Sequence, residues 1–122
     1  MSNQAATTGR CCVGLSVAQL ADEQAVELAT VFKALGDPIR LRLLSLIASG
    51  AEGGVCVCEL TPAFALSQPT ISHHLRLLRE AGLVDCQRRG TWVYYWLVPE
   101  TTDKVAALLA RPAGERFASA GA

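Results

Sequence analysis

Five cysteines in 122 residues carry the sharpest chemistry of this chain, and four of them come in pairs. Cys11 and Cys12 are adjacent, Cys56 and Cys58 flank Val57, and Cys86 stands alone. The leading residues MSNQAATTGRCC hold no apolar export segment. A cytoplasmic, reducing setting is therefore expected, in which clustered cysteines serve metal or redox chemistry rather than a disulfide framework. Thiolates are soft ligands that select As(III), Cd(II), Pb(II) or Zn(II). As(III) takes three thiolates in a pyramid, its lone pair filling the fourth direction. Cys11 and Cys12 can supply two corners and Cys56 or Cys58 the third. Adjacent cysteines are awkward for a compact tetrahedral shell, so this set favours As(III) over Cd(II) or Pb(II). Cys86, inside a strand-like run, reads as a small apolar filler.

A second constellation lies between Ser67 and Leu97. Gln68, Thr70, Ser72, His73 and Arg76 fall on one face of an amphipathic stretch, opposite Ile71, Leu75 and Leu78. Gln and Arg can read adenine and guanine edges in a major groove, and Ser and Thr can take phosphates. Arg88 and Arg89 follow at the tip of a β-rich segment, where they suit phosphate contacts without sequence preference. His74 lies nearer the apolar face and reads as packing. Trp92, Tyr94, Tyr95 and Trp96 read as hairpin and core packing, without the aromatic–basic interleaving of single-strand binders.

These groups need particular elements to position them. Ser67 is a good helix cap, Pro69 fits the first turn and Gly82 the C-terminal exit, so residues 67–82 form one helix. Leu83 to Arg88, a tight Arg89-Gly90 turn and Thr91 to Leu97 form a hairpin. Upstream, DEQAVELATVFKALG places Ala25, Leu28, Ala29, Phe32 and Leu35 at helical spacing. Asp37-Pro38 starts a second helix with Ile39, Leu43, Leu46 and Ile47 inward, closed by Gly50. Val55 to Leu60 leads into a short helix through Phe64 and Ala65, making a helix-turn-helix with the Ser67 helix. Pro99-Glu100 opens a last helix with a Val105, Leu108 and Leu109 stripe, stopped at Arg111-Pro112. The fold expected is mainly α with a β-hairpin wing: a winged helix-turn-helix. The apolar stripes of the first and last helices have no place in so small a core. Pairing with a second copy as a homodimer would use them. Residues 1–18 read as a flexible cysteine-bearing arm, 19–112 as the DNA-binding and dimerisation domain, and 113–122 as a flexible tail.

Composition sets the remaining bounds. Half the residues are hydrophobic (51%), and the formal net charge is zero. The charge is unevenly spread, because Ser67–Leu97 holds Arg76, Arg79, Arg88 and Arg89 against Glu80 and Asp85, a local excess of +2. Presented twice by a dimer, that excess suits double-stranded DNA. No apolar run reaches the roughly 20 residues of a membrane helix. An enzyme is disfavoured: no phosphate-cradling loop follows a strand, no Cys-x-x-Cys is present, and no acid–base partner lies near either cysteine pair. A winged helix that senses thiol oxidation, with the paired cysteines forming disulfides, stays open.

The segments FKALGDPIRLRLL, CVCEL, LSQPTISHHLRLLREAGLV and RRGTWVYYWLVPE together resemble the ArsR–SmtB family of dimeric winged-helix metal-sensing repressors, its arsenic-responsive branch most closely. The resemblance spans about Ala29 to Glu100. It implies a transcriptional repressor that holds operator DNA until an inducer binds, with Cys56-Val57-Cys58 in the inducer site. In one type of arsenic repressor a third cysteine follows three residues after the second. Thr61 stands there instead, so a donor must come from elsewhere, and Cys11 and Cys12 are the paired candidates. Arm cysteines joined to Cys56 and Cys58 also match the family's Cd/Pb-type site. The family's zinc site on the last helix is not expected, since that helix offers Glu100 and Asp103 but no histidine.

Overall fold

The computed structural model describes residues 19–110. Its elements run α1 (Asp22–Leu35), α2 (Pro38–Ala48), β1 (Val55–Cys56), α3 (Val57–Leu60), a 3-10 turn (Thr61–Ala63), α4 (Gln68–Glu80), β2 (Val84–Arg89), β3 (Trp92–Leu97) and α5 (Pro99–Leu109). Residues Val26–Pro99 make one compact unit, and α5 from Glu100 onward belongs to a second. Among the described residues no helix is long and apolar enough to cross a membrane.

The helix signals act as their chemistry dictates. Asp37 caps α2 by accepting from the N–H groups of Ile39 (2.8 Å) and Arg40 (3.2 Å), with Pro38 in the first turn. Ser67 caps α4 through Thr70 N–H (3.3 Å), and its hydroxyl also bonds that of Thr70 (3.0 Å). At the far end of α4, Gly82 sits at φ +80°. Gly82 N–H bonds Arg79 C=O (2.9 Å) and Leu83 N–H bonds Leu78 C=O (3.0 Å), which is the complete Schellman exit. Leu83 C=O then accepts from Val98 N–H (3.0 Å), so one residue ties the end of α4 to the end of the hairpin.

Leu43, Leu60, Ile71, Leu75, Leu78, Leu83 and Val84 are wholly buried, drawn from α2, α3, α4 and the start of β2. The core of the Val26–Pro99 unit therefore sits beneath α4, whose polar face is left outward. One expectation about packing, Leu46 inward, is corrected, while the stripes of α1 and α5 assigned to pairing with a second copy stay partly open in the single chain. α1 buries Val31 and Ala34, while Phe32 stays 37% exposed and Ala25 and Ala29 lie outward. Leu46 of α2 is also exposed, since Leu43 and Ile47 already occupy the inward side. On α5, Leu108 is buried but Leu109 points to solvent.

The hairpin differs from expectation in two respects. Arg89 is a strand residue paired with Trp92, so Gly90 and Thr91 make the turn. Gly90 takes φ +67° and Thr91 keeps a negative φ, the pattern of a type II′ turn. The sheet also has a third strand: Val55 pairs with Tyr95 and Cys56 with Tyr94, giving the order β1-β3-β2. The short helix expected to run through Phe64 and Ala65 is a single α-turn followed by the 3-10 turn, because Pro62 lacks the N–H that would continue the α pattern.

Gly54 permits the third strand. It adopts φ +108°, and a Cβ there would meet Tyr94 Cβ and Tyr95 O at 3.3 Å. Gly54→Ala is expected to destabilise the fold by about 1–3 kcal/mol. A lowered urea midpoint with an unchanged slope would register this, and an unchanged midpoint would refute the strained close approach.

Candidate nucleic-acid interface and thiolate site

α4 presents Gln68, Thr70, Ser72, His73 and Arg76 to solvent as the spacing predicts. Arg76 donates to His73 Nδ1 (2.9 Å) and lies 3.9 Å from Glu80, so the three form a chain along the outer face. That pair is wholly exposed, and its attraction orients Arg76 more than it stabilises the fold. Thr70 is held back against the Ser67 cap. Arg88 and Arg89 project from the end of β2. Arg89 is braced: its Nε donates to Gln87 Oε1 (3.1 Å), and its guanidinium stands over the Tyr94 ring at 4.7 Å. The arrangement offers a donor-rich helix face with a basic hairpin tip, the two contact types of a groove-reading module.

Two arginines that the residue spacing did not single out hold this module in place. Arg40 Nε donates to Ala34 C=O (2.6 Å), and its guanidinium also reaches Lys33 C=O (3.5 Å) and His74 Nδ1 (3.1 Å). One side chain thus closes the C-terminal carbonyls of α1 and anchors α4 from its inner side. His74 is the packing histidine expected, its ring set against the Arg40 guanidinium. Arg42 donates to Ala63 C=O (3.2 Å) and lies over the Phe64 ring at 4.5 Å, fastening the turn between α3 and α4. The available signal was two cations interrupting the apolar run from Ile39 to Ile47.

The thiol site is built at the β1–α3 junction. Cys56 is buried and Cys58 exposed, and their sulfurs are joined as a disulfide across a Cα–Cα distance of 5.1 Å. Cys58 N–H donates to Cys56 Sγ (3.2 Å). When reduced, two sulfurs held this close fit one soft ion as a bidentate pair. Among the described residues no third His, Cys, Asp or Glu joins them to complete a metal-binding group. Cys11 and Cys12, the expected remaining donors, lie outside the described residues. Cys86 is half-buried rather than a core filler, and it stands opposite Tyr95 across the β2–β3 ladder. Burial first, then the adjoining Cys86, pushes the Tyr95 hydroxyl above its ordinary value.

A helix-turn-helix with a basic three-stranded wing defines a winged-helix DNA-binding regulator. Residues 37–85 match the model of the family described as bacterial regulatory protein, arsR family, and the chain belongs to that family. A solution structure of a homodimeric winged helix-turn-helix DNA-binding domain from Mycobacterium bovis, described as a possible ArsR-family transcriptional regulator, superimposes with a TM-score of 0.59 at 32% identity. The match covers 75% of this chain and 84% of that one. The arsenic resistance transcriptional regulator ArsR1 of Pseudomonas putida KT2440 is 56% identical over 79 residues, which is 65% of this chain and 60% of the relative. A cadmium resistance transcriptional regulatory protein CadC homolog of Staphylococcus aureus is 38% identical over 81 residues, 66% of this chain and 65% of the relative. The chain thus spans just under two thirds of the length of these curated relatives.

The cap that starts α2 carries a pH signature. Burial pushes the Asp37 carboxyl up, but the N–H groups of Arg40 and Ile39, then the charges of Arg40 and His74, outweigh it and leave the group below its ordinary value of 3.8. The folded state therefore binds fewer protons there than the unfolded chain. Its stabilising contribution is complete above the ordinary carboxylate range and fades as pH falls through the lowered value. Asp37→Asn keeps a cap oxygen but cannot ionise. It is expected to flatten the acid limb of urea midpoint against pH below about pH 4. An acid limb as steep as that of the parent protein would contradict this assignment.

Proposed function

We propose that this chain is an arsenite-responsive transcriptional repressor that binds double-stranded operator DNA as a homodimer and releases it when As(III) binds cysteine thiolates. Gln68, Ser72, His73 and Arg76 read base edges or nearby phosphates, Thr70 supports the helix start, and Arg88 and Arg89 take phosphates beside the wing. Cys11 and Cys12 supply two corners of the pyramid, and Cys56 or Cys58, at the β1–α3 junction, supplies the third.

The observation that carries this reading is where Cys56 sits. It is at once the last residue of the wing's third strand and the cap of α3. An ion drawn to its sulfur pulls on the wing and on the helix-turn-helix together, while Arg40 joins α4 to the helix before α2. An effector shifts an equilibrium only by its differential affinity for the two states. Sulfur bonds that close in only one arrangement of the arm and this junction provide such a difference, and couplings of this kind reach about 1–3 kcal/mol, roughly 5- to 150-fold in affinity.

The bonded Cys56 and Cys58 sulfurs favour a second reading, in which oxidation of these thiols rather than capture of an ion is the signal. Fluorescence anisotropy of a labelled duplex, selected from a random library by the protein, separates the two. In reductant, arsenite is expected to release the duplex from the parent protein and to lose at least about tenfold of its potency on the Cys56→Ser, Cys58→Ser double variant and on the Cys11→Ser, Cys12→Ser double variant. Undiminished binding at saturating arsenite overturns the proposal. Release by Cd(II) or Pb(II) but not arsenite assigns the cysteines to those ions, and release by peroxide alone assigns them to thiol oxidation.

A further inference from the structure

The wing carries a large apolar side chain with no cover. Trp92 is 51% exposed at the end of β3, next to a turn where even an added Cβ on Gly90 would meet nothing within 4 Å. An indole left half in water forgoes the hydrophobic free energy of burial, and Trp is enriched at interfaces, where its apolar body and its N–H both find partners. Its surroundings identify the partner. Trp92 is the cross-strand neighbour of Arg89, so both side chains stand on one face of the hairpin. Arg89 is pinned on that face by Gln87 and the Tyr94 ring, which fixes a cation beside the indole. Arg88 adds a second positive charge on the opposite face. A flat apolar ring with one guanidinium beside it and a second across the hairpin, with no carboxylate at the tip, complements a surface of sugar edges lined by phosphates.

We propose that Trp92 is a further DNA-contacting residue, its indole packing against the deoxyribose wall of the groove entered by the wing while Arg88 and Arg89 take the flanking phosphates. This rests on the DNA-binding part of the function proposed above. The contact is apolar, so it differs from its neighbours in one measurable way. Each phosphate contact releases counterions and steepens the dependence of log affinity on log salt by about 0.9, whereas an apolar contact leaves that slope alone.

Two measurements on the full chain test this, with the duplex selected from a random library. Trp92→Ala is expected to weaken binding about tenfold with an unchanged salt slope, and Trp92→Phe to retain most of the affinity. Arg88→Ala is expected to weaken binding with a slope lower by about 0.9. In Trp96→Phe, Trp92 is the sole tryptophan, and saturating duplex is expected to shield it from acrylamide quenching. If Trp92→Ala binds like the parent and the indole stays equally quenched, the inference fails, while loss of binding by Arg76→Ala leaves the DNA reading standing. Shielding that grows with protein concentration in the absence of duplex also overturns it, because a second copy then covers the indole. If no duplex is enriched at all, the DNA reading falls and this inference with it.

Discussion

Everything at the thiol site depends on two residues of backbone pairing, Val55 with Tyr95 and Cys56 with Tyr94. A two-residue strand is too short to persist alone. It holds here because Gly54 lets the chain approach β3 closely and because Val55 and Cys56 are both buried against the hairpin. The pairing turns a simple hairpin into a three-stranded sheet. It also makes Cys56 part of the wing, as the residue that ends β1 and caps α3, with Cys58 following inside that helix.

A second constraint is delivered by arginine rather than by the apolar core. Among the described residues, the core holds no buried polar or charged side chain. Burial alone would leave the helices free to slide by small amounts, since hydrophobic packing is weakly directional. Arg40 removes part of that freedom by meeting two carbonyls of α1 and the His74 ring of α4. Arg42 does the same for the 3-10 segment. The outward face of α4 can stay polar because its inward face is fixed from several sides.

Much of this was legible in the residues. Ser67, Asp37, Pro38, Pro69 and Gly82 are strong punctuation, because each satisfies or excuses a particular backbone group at a helix end, and all behave accordingly. The outward donors of α4 follow from a helical period that nothing interrupts. Residues 51–58 gave no such period: β1 is too short to show alternation, and its strand character comes from the partner it finds on β3. Local spacing gave Arg40 and Arg42 no role, since some of their partners are a ring and a carbonyl more than twenty residues away. The turn was misplaced by one residue because Arg-Gly and Gly-Thr both suit a two-residue loop, and cross-strand register decides between them. Cys11 and Cys12 lie outside the described residues, so the completeness of the thiol set rests on chemistry alone.

The double anchor at Leu83 has a mechanical corollary. α4 is 13 residues long, about 20 Å from cap to exit, and its exit is fastened to the hairpin while its outward donors begin at the other end. It is a lever pivoted at its heel. A tilt of about 10° there would sweep the Gln68 end through roughly 3 Å, close to the 3.4 Å spacing of successive nucleotides along a strand. Because Ile71 and Leu75 are wholly buried on the same helix, such a tilt must carry the packing beneath α4 with it, so the outer face of α4 moves only when the core beneath it rearranges.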